Sequence, residues 1–170
     1  MSKLFKIFGN FTYLDANLEE KWAEPDPSFV GEIVVNDLNE FVGYCDELYE
    51  TTMSDLNKTR FLKGELIKND NRYNLVFLKL SNDPEQSPLL YAIPNLENLE
   101  SPNRGYWGAL YLNHFCFQGQ GRITIEEQPY SREDEIRIKK RFDEVDETIT
   151  WNKQLLNIPI PTKITVFTLS

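Results

Sequence analysis

Hydrophobic and polar residues alternate with a period of two over most of the first 130 residues, which is the pattern of half-buried β-strands. Clusters of Gly, Pro, Asn and Asp interrupt this alternation and indicate the turns between strands. The predicted strands are residues 4–14, 29–35, 41–49, 59–67, 73–80, 89–93, 106–117 and 122–127. We therefore predict consecutive antiparallel strands that pair with their neighbours in sequence.

Two stretches share one order of residue types, which runs Gly-Glu, aliphatic residues, Asn-Asp and then an aromatic residue. The first stretch runs from Gly31 to Phe41, and the second runs from Gly64 to Tyr73. Asn and Asp tolerate the left-handed backbone and bond their own main chain, so an Asn-Asp pair between apolar runs indicates a turn. The pairs Asn36-Asp37 and Asn69-Asp70 are therefore predicted to be solvent-exposed hairpin tips.

The periodicity changes to 3.6 after Pro129, where Ser131 is followed three residues later by Asp134 in a helix-capping pattern. The apolar residues that follow share one helical face: Ile138, Phe142, Val145 and Ile149. Charged residues occupy the remaining sides, so we predict one amphipathic helix whose apolar stripe packs against the sheet. Beyond it, residues 163–169 alternate again and predict a ninth strand.

Three segments interrupt the strands. Residues 15–28 contain two prolines that exclude a central strand, so this segment is predicted to be a loop, with a helical turn over residues 17–22 as one option. Its Trp22 is expected near the mouth of a barrel, where it could act as a lid or as a plug. Pro94 is predicted to end the sixth strand and to begin a loop over residues 94–104. The segment 119–121, Gly-Gln-Gly, is predicted to be a hairpin turn, and it is no nucleotide-binding fingerprint because no helix follows it.

Composition limits the classes of protein to which the chain can belong. A length of 170 residues suits a single domain over residues 1–170, and 41% hydrophobic and 13% aromatic residues favour a folded protein over disorder. The net charge of −9 argues against binding to nucleic acid or to an anionic membrane surface. The residues after Met1 lack the pattern of a secretory signal, and no apolar run approaches the roughly 20 residues of a membrane span, so the predicted location is cytoplasmic.

The chain contains two cysteines and a single histidine. Cys45 and Cys116 are expected to be buried free thiols, because a cytoplasmic protein rarely keeps a disulfide. Together with His114 they offer no metal-ligand spacing, so we predict neither a metal nor another cofactor.

Eight antiparallel strands, one helix and a further strand is the element order of the lipocalin and calycin barrels, and the chain resembles that superfamily in layout. Lipocalins carry Gly-x-Trp in the first strand, where this chain has Gly9-Asn10-Phe11, and an arginine near the end of the eighth strand, where this chain has Arg122 near the start. The resemblance implies a mainly β fold of the α+β type: an antiparallel barrel of eight or nine strands with a C-terminal amphipathic helix before the last strand. Closure of the sheet removes exposed edges. An open β-sandwich with the helix across one face is the competing fold.

The predicted strand 41–49 holds the most informative polar residues. One face carries Tyr44 and Asp46, and the other carries Cys45, Glu47 and Tyr49. Whichever face points into a barrel, it takes one carboxylate with it, and a buried carboxylate must be paired or shifted in pKa. Such a group would be a candidate ligand contact or acid–base group. The alternative is that the strand reaches the rim, where both carboxylates are hydrated.

The predicted strand 106–117 is strongly aromatic and contains the only histidine. Trp107 and Tyr111 share one face and His114 lies on the other, so Trp107 and His114 can both face inward only across a bulge. His114 could act as a general base or could be a core residue bonded to a neighbour. No nucleophile motif or phosphate-binding loop accompanies it.

Our main hypothesis is a cytoplasmic barrel that binds one small, partly apolar molecule, since an eight-stranded barrel can enclose a ligand of that size. The candidate ligand-binding residues are Trp22, Tyr44, Asp46, Glu47, Tyr73, Trp107, Tyr111 and His114. With a carboxylate inside, cationic or hydrogen-bond-donating ligands are expected to bind better than anionic ones. Two alternatives stay open: a non-catalytic protein-interaction or homodimerising module with a solid core, and an enzyme that uses an interior carboxylate with Tyr or His.

Overall fold

The computed structural model describes residues 1–14, 20–21, 28–48, 58–80, 89–100, 103–111 and 114–148. Nine strands and one helix lie within these residues. The strands are β1 Lys3–Leu14, β2 Glu20–Lys21, β3 Ser28–Val35, β4 Glu40–Leu48, β5 Lys58–Asn69, β6 Arg72–Leu80, β7 Leu89–Leu96, β8 Asn103–Tyr111 and β9 His114–Gln128, and the helix is α1 Arg132–Thr148. The predicted ninth strand over residues 163–169 and the predicted position of Trp22 lie outside the described residues.

Eight of these strands form a closed antiparallel barrel. The order is β1-β3-β4-β5-β6-β7-β8-β9, and β1 also pairs with β9 from Leu4, opposite Gln128, to Tyr13, opposite Gly119. This closure confirms the predicted barrel with a single helix and excludes the open sandwich. The short strand β2 pairs with the end of β1 at Tyr13 and Leu14, so Glu20–Lys21 is a strand and not part of the helical turn considered for this segment.

Strand β8 ends at Tyr111 and the antiparallel strand β9 begins at His114, so the predicted strand 106–117 and the predicted turn 119–121 are wrong. Gly119 and Gly121 lie inside β9, opposite Trp107 and Gly105 of β8. The pairing of β8 with β9 shifts between Trp107 and Gly108, directly beside Gly119, and a glycine inside a strand often marks such a bulge. Gly119 therefore lies beside an irregularity in the strand pairing and not in a turn.

The predicted end of the sixth strand is also wrong, because β7 continues past Pro94 to Leu96. Its pairing with β6 shifts at this point, from Ile93 opposite Leu75 to Leu96 opposite Tyr73. Proline cannot donate a ladder hydrogen bond, and a bulge is one of the places where a sheet accepts it. Pro94 therefore marks an irregularity within the strand.

The two predicted hairpin tips are turns at the same end of the barrel, which we call the hairpin end. The Asn36 side chain accepts hydrogen bonds from the backbone N–H groups of Leu38, at 2.9 Å, and Glu40, at 3.0 Å. The left-handed backbone falls on Asn39, with φ of 62°, and on Asp70, with φ of 55°. Asn36, Asp37 and Asp70 are exposed, and Asn69 is the last residue of β5.

The inward-facing side chains form one hydrophobic cluster to which every barrel strand contributes. A row of aromatic rings crosses its centre, with ring centroids 6.1 Å apart for Phe41 and Phe77, 4.9 Å for Phe77 and Tyr91, and 6.1 Å for Tyr91 and Trp107. Gly64 lies between Phe41 and Phe77, where an added Cβ would come within 2.5 Å of the Phe77 Cβ. Side chains therefore fill the middle of the barrel at this level.

Helix α1 packs on the outer faces of β3, β4 and β5. Ile138 and Phe142 are buried there in a second cluster, which confirms the prediction that Phe142 packs against the sheet. The Ser131 hydroxyl accepts a hydrogen bond from the Asp134 N–H at 3.3 Å, as the capping pattern predicts. The described part of the chain has no helix that is both long and apolar enough to cross a membrane.

Candidate functional site

Strand alternation in β4 separates the two candidate carboxylates. Cys45 belongs to the interior cluster and Glu47 lies on the same face of the strand, whereas Tyr44 belongs to the outer cluster beneath α1. Asp46 shares the outer face with Tyr44 and accepts a hydrogen bond from Arg141 of the helix, at 3.1 Å. Glu47 is therefore the carboxylate that enters the barrel.

Glu47 is the centre of a group of polar side chains inside the barrel, which we call the interior charged network: Glu47, Arg60, Lys79 and Tyr91. The Lys79 ammonium donates to the Glu47 carboxylate and, at 3.1 Å, to the Tyr91 hydroxyl. The Arg60 Nε donates to Glu47 Oε2 at 3.3 Å. Glu47 is only 1% exposed and Lys79 only 7%, so burial would be very unfavourable without these bonds.

The network holds its members in defined protonation states. Burial alone would raise the pKa of Glu47, but Lys79 and Arg60 outweigh it and lower that pKa. Burial favours the neutral amine of Lys79, yet Tyr91 and Glu47 raise its pKa. Burial raises the pKa of Tyr91 to about 12 against the opposing effect of Lys79, and it raises the pKa of the Cys45 thiol to about 12. At neutral pH the network therefore pairs an anion with cations, and Cys45 is a poor nucleophile.

The network adjoins the aromatic row of the barrel interior. The Lys79 Nζ lies 5.1 Å from the centroid of the Tyr91 ring, which stacks between Phe77 and Trp107. Trp107 in turn donates from its indole Nε1 to the backbone oxygen of Gln120, at 3.2 Å. Charged and aromatic groups are thus held in one rigid arrangement by contacts between neighbouring strands.

Tyr44 and Asp46 contact helix α1 on the outside of the barrel. Arg137 donates two hydrogen bonds to the Glu32 carboxylate, at 2.7 and 3.0 Å, and the Tyr44 hydroxyl donates a third at 2.6 Å. The Arg141 guanidinium lies 3.8 Å from the centroid of the Tyr44 ring. The bonds from Arg137 lower the pKa of Glu32, and burial raises that of Tyr44. Tyr44 and Asp46 therefore lie between helix α1 and the outer face of the barrel, and not in the barrel interior.

A cavity of about 300 Å³ opens at the hairpin end of the barrel. Its apolar lining comes from Phe5, Val35, Leu66, Tyr73 and Leu99. Its polar lining comes from Met1, Lys3, Asn36, Asp37, Asn39, Lys68 and Glu127. An apolar floor beneath a polar rim is the arrangement that suits a partly apolar small molecule.

Backbone hydrogen bonds hold the walls of this hairpin-end cavity in place. The turn between β3 and β4 is tied to β5, because the Leu66 N–H donates to the Asn39 oxygen at 2.8 Å. The segment after β7 is tied to β9 in the same way, through the Ile125 N–H and the Leu99 oxygen, at 2.8 Å. Tyr73 forms part of the wall because it follows the β5–β6 turn closely. The cavity is therefore preformed by the fold.

Five of the eight predicted ligand-binding residues have side chains within the described part of the structure, and these five do not form one site. Glu47 and Trp107 both lie inside the barrel, where Tyr91 connects them, and Tyr73 lines the hairpin-end cavity. Tyr111 and His114 face each other in register where β8 meets β9, but their side chains are outside the described part of the structure.

Sequence reasoning missed Lys79, Arg60 and Tyr91 as partners of Glu47. A usable signal exists in the predicted strand 73–80, because Lys79 alternates with the aliphatic residues Leu78 and Leu80 and shares the face of Phe77. A charge on the buried face of an apolar strand requires a partner of opposite sign. That signal predicts an interior ion pair but does not identify its second member.

The interior charged network and the hairpin-end cavity are thus the two candidate sites that the geometry of the described residues defines. Comparisons of the chain with protein-family models, with curated proteins and with solved structures each found no match.

Proposed function

We propose that this protein is a small-ligand-binding barrel of the calycin type, and that its ligand occupies the hairpin-end cavity. The observation that carries this proposal is the cavity itself, which holds about 300 Å³ of space above an apolar floor. Binding pockets for small molecules begin at roughly 300 Å³ and combine apolar walls with a few polar groups. The size indicates a small ligand, since about ten water molecules would occupy the same volume in the liquid.

The lining residues give the proposed ligand its chemistry. Phe5, Val35 and Leu66 are buried residues whose side chains would contact an apolar body. Tyr73 adds a ring and a hydroxyl at the wall, and the lysines and carboxylates of the rim would contact a polar end group. Because backbone bonds preform the cavity, binding would require little ordering of the protein.

The interior charged network supports a structural role better than a catalytic one. Its lysine has a raised pKa and its tyrosine a pKa of about 12, so neither is poised to transfer a proton near neutral pH. The neighbouring Cys45 thiol is held in its protonated form in the same way. An enzyme that uses the interior carboxylate stays an alternative hypothesis, and so does an interaction or homodimerising module.

A fluorescence titration with the neutral apolar probe N-phenylnaphthylamine tests the proposal. Leu99→Trp would fill the mouth of the cavity, and Leu38→Trp makes the same change at a turn residue that is 75% exposed and does not line the cavity. We expect saturable binding by the parent and by Leu38→Trp, and at least a tenfold weaker affinity for Leu99→Trp. Thermal unfolding of all three proteins verifies that each is folded.

Two results would count against the proposal. The absence of saturable binding by the parent protein would favour the interaction-module hypothesis. Equal affinity of Leu99→Trp and the parent for the probe would mean that the probe binds outside the hairpin-end cavity. Assignment to the calycin superfamily rests on the order of elements, and a cytoplasmic location and a homodimer stay predictions.

A further inference from the structure

We infer that the ligand of the hairpin-end cavity is an amphipathic anion, with a carboxylate on a small apolar body, and that Lys68 is the residue that binds the carboxylate. The inference rests on the proposed function of the same cavity and specifies the class of ligand. The distribution of charges around the rim of the cavity supports it.

The carboxylates that line the cavity already have cationic partners. Glu127 lies 4.0 Å from the Lys3 ammonium, and Asp37 accepts a hydrogen bond from the amine of Met1. The Lys68 ammonium, by contrast, contacts no carboxylate within the described residues. The whole chain has 27 acidic and 18 basic residues, so a lysine without an acidic partner at the rim of a cavity runs against the overall charge.

The position of Lys68 suits an incoming anion. Its Nζ lies 5.7 Å from the centroid of the Tyr73 ring, in the wall of the cavity. This contact places the ammonium at the boundary between the apolar floor and solvent. An ammonium carries three donors, so its contact with the ring face leaves N–H groups available to a ligand oxygen. A carboxylate at this position would leave its apolar body over Leu66 and Phe5.

The expectation of a cationic ligand depends on a carboxylate inside the barrel that has no partner. Glu47 is bonded to Lys79 and Arg60, and Asp46 faces the helix, where Arg141 bonds it. Neither carboxylate lines the hairpin-end cavity. The electrostatic reason to prefer a cation therefore does not apply at this site.

Calorimetric titration with three probes of one chain length tests the inference: octanoate, octanol and octylamine. They share an eight-carbon body and carry a negative, a neutral and a positive head group. We expect octanoate to bind roughly threefold to tenfold more tightly than octanol, as a charge-assisted bond at a partly exposed site implies, and octylamine to bind most weakly. Added salt should reduce the advantage of octanoate.

Two variants of Lys68 locate the effect. Lys68→Met keeps most of the apolar stem and removes the charge, so octanoate should bind no more tightly than octanol while the affinity for octanol stays unchanged. Lys68→Arg should keep the preference for octanoate. Lys140→Met removes one positive charge from α1, outside the cavity lining, and controls for the change in net charge.

The outcomes separate this inference from the proposed function. If octanol displaces N-phenylnaphthylamine and octanoate binds no better than octanol, the inference is wrong and the binding proposal stands. If Lys68→Met keeps the full preference for octanoate, the assignment of Lys68 is likewise wrong. If N-phenylnaphthylamine binds to the parent protein but none of the three octyl probes does, the inference is wrong and the binding proposal stands. If N-phenylnaphthylamine does not bind either, the inference and the binding proposal both fail.

Discussion

The Lys79 ammonium donates a hydrogen bond to the Glu47 carboxylate inside the barrel, although the two residues are 32 positions apart in sequence. Glu47 lies in β4 and Lys79 in β6, and the inward face of β5 between them supplies Arg60. The three charges meet only because β4, β5 and β6 are successive neighbours in the closed sheet. The pairing is thus a consequence of strand register.

We expect Glu47→Gln to destabilise the protein by about 3–5 kcal/mol, because it leaves a buried ammonium without its carboxylate. Urea denaturation measures the loss. A double-mutant cycle with Lys79→Met should give a coupling energy of about 1–3 kcal/mol, since the two side chains are in contact. Additive losses in that cycle would mean that the pair has no energetic coupling.

The ion pair between Glu32 and Arg137 should make helix docking sensitive to acid. Arg137 lowers the pKa of Glu32 from its ordinary value of 4.5, so the folded state binds fewer protons than the unfolded state does in acid. The stabilisation is therefore complete above that ordinary value and is lost as the pH falls through the lowered pKa of the folded state. Because both side chains are at least one-third exposed, the effect should not exceed about 1 kcal/mol.

Urea denaturation at about pH 6 and pH 3.5 would measure this dependence. The parent protein should lose more stability on acidification than Glu32→Gln, which has no carboxylate to protonate. Glu100→Gln, a change at an exposed carboxylate in the segment after β7, should behave like the parent. An equal acid response of Glu32→Gln and the parent would show that the pair does not contribute.

The docking of α1 depends on one large side chain. Phe142→Ala should destabilise the protein by about 3–5 kcal/mol, since Phe142 is buried against the barrel with Ile138. Ile136→Ala on the same helix is the matched control, because Ile136 is 56% exposed and its truncation should change stability by less than about 0.5 kcal/mol. A loss under roughly 1 kcal/mol for Phe142→Ala in urea would mean that the helix is peripheral.

A single methyl group at Gly64 should disturb the aromatic row. The Cβ of alanine would clash with the Val76 backbone oxygen, and it would come within 2.5 Å of the Phe77 Cβ and 2.7 Å of the Phe41 ring. We expect Gly64→Ala to destabilise the barrel by about 1–3 kcal/mol through overpacking. Phe41→Leu in the same background should restore only part of the loss, because the clashes with the Val76 backbone oxygen and the Phe77 Cβ remain. Unchanged thermal stability of Gly64→Ala would contradict this account of the packing.

Local chemistry in the sequence was sufficient to predict most of the elements. Period-two alternation defines strands because successive side chains point to opposite faces, and the switch of period after Pro129 defines the helix. The Asn36 turn and the Ser131 cap follow from side chains that bond their own backbone, which needs no distant contact. The burial of Phe142 follows from its place on an apolar helical stripe.

The two candidate sites could not be predicted from the sequence, because tertiary structure decides which side chains meet. Alternation divides β4 into two faces but cannot tell which face is inside, and this choice separates Glu47 from Asp46. The sequence wrongly predicts a turn at the glycines of β9, because local sequence does not reveal that Gly119 lies in a strand opposite Trp107. The interior charged network joins side chains of four successive strands, β4 to β7, and only the register between these strands brings the side chains together. The hairpin-end cavity also needs closure of the barrel, because Phe5 of β1 and Glu127 of β9 line it together and only closure pairs these two strands.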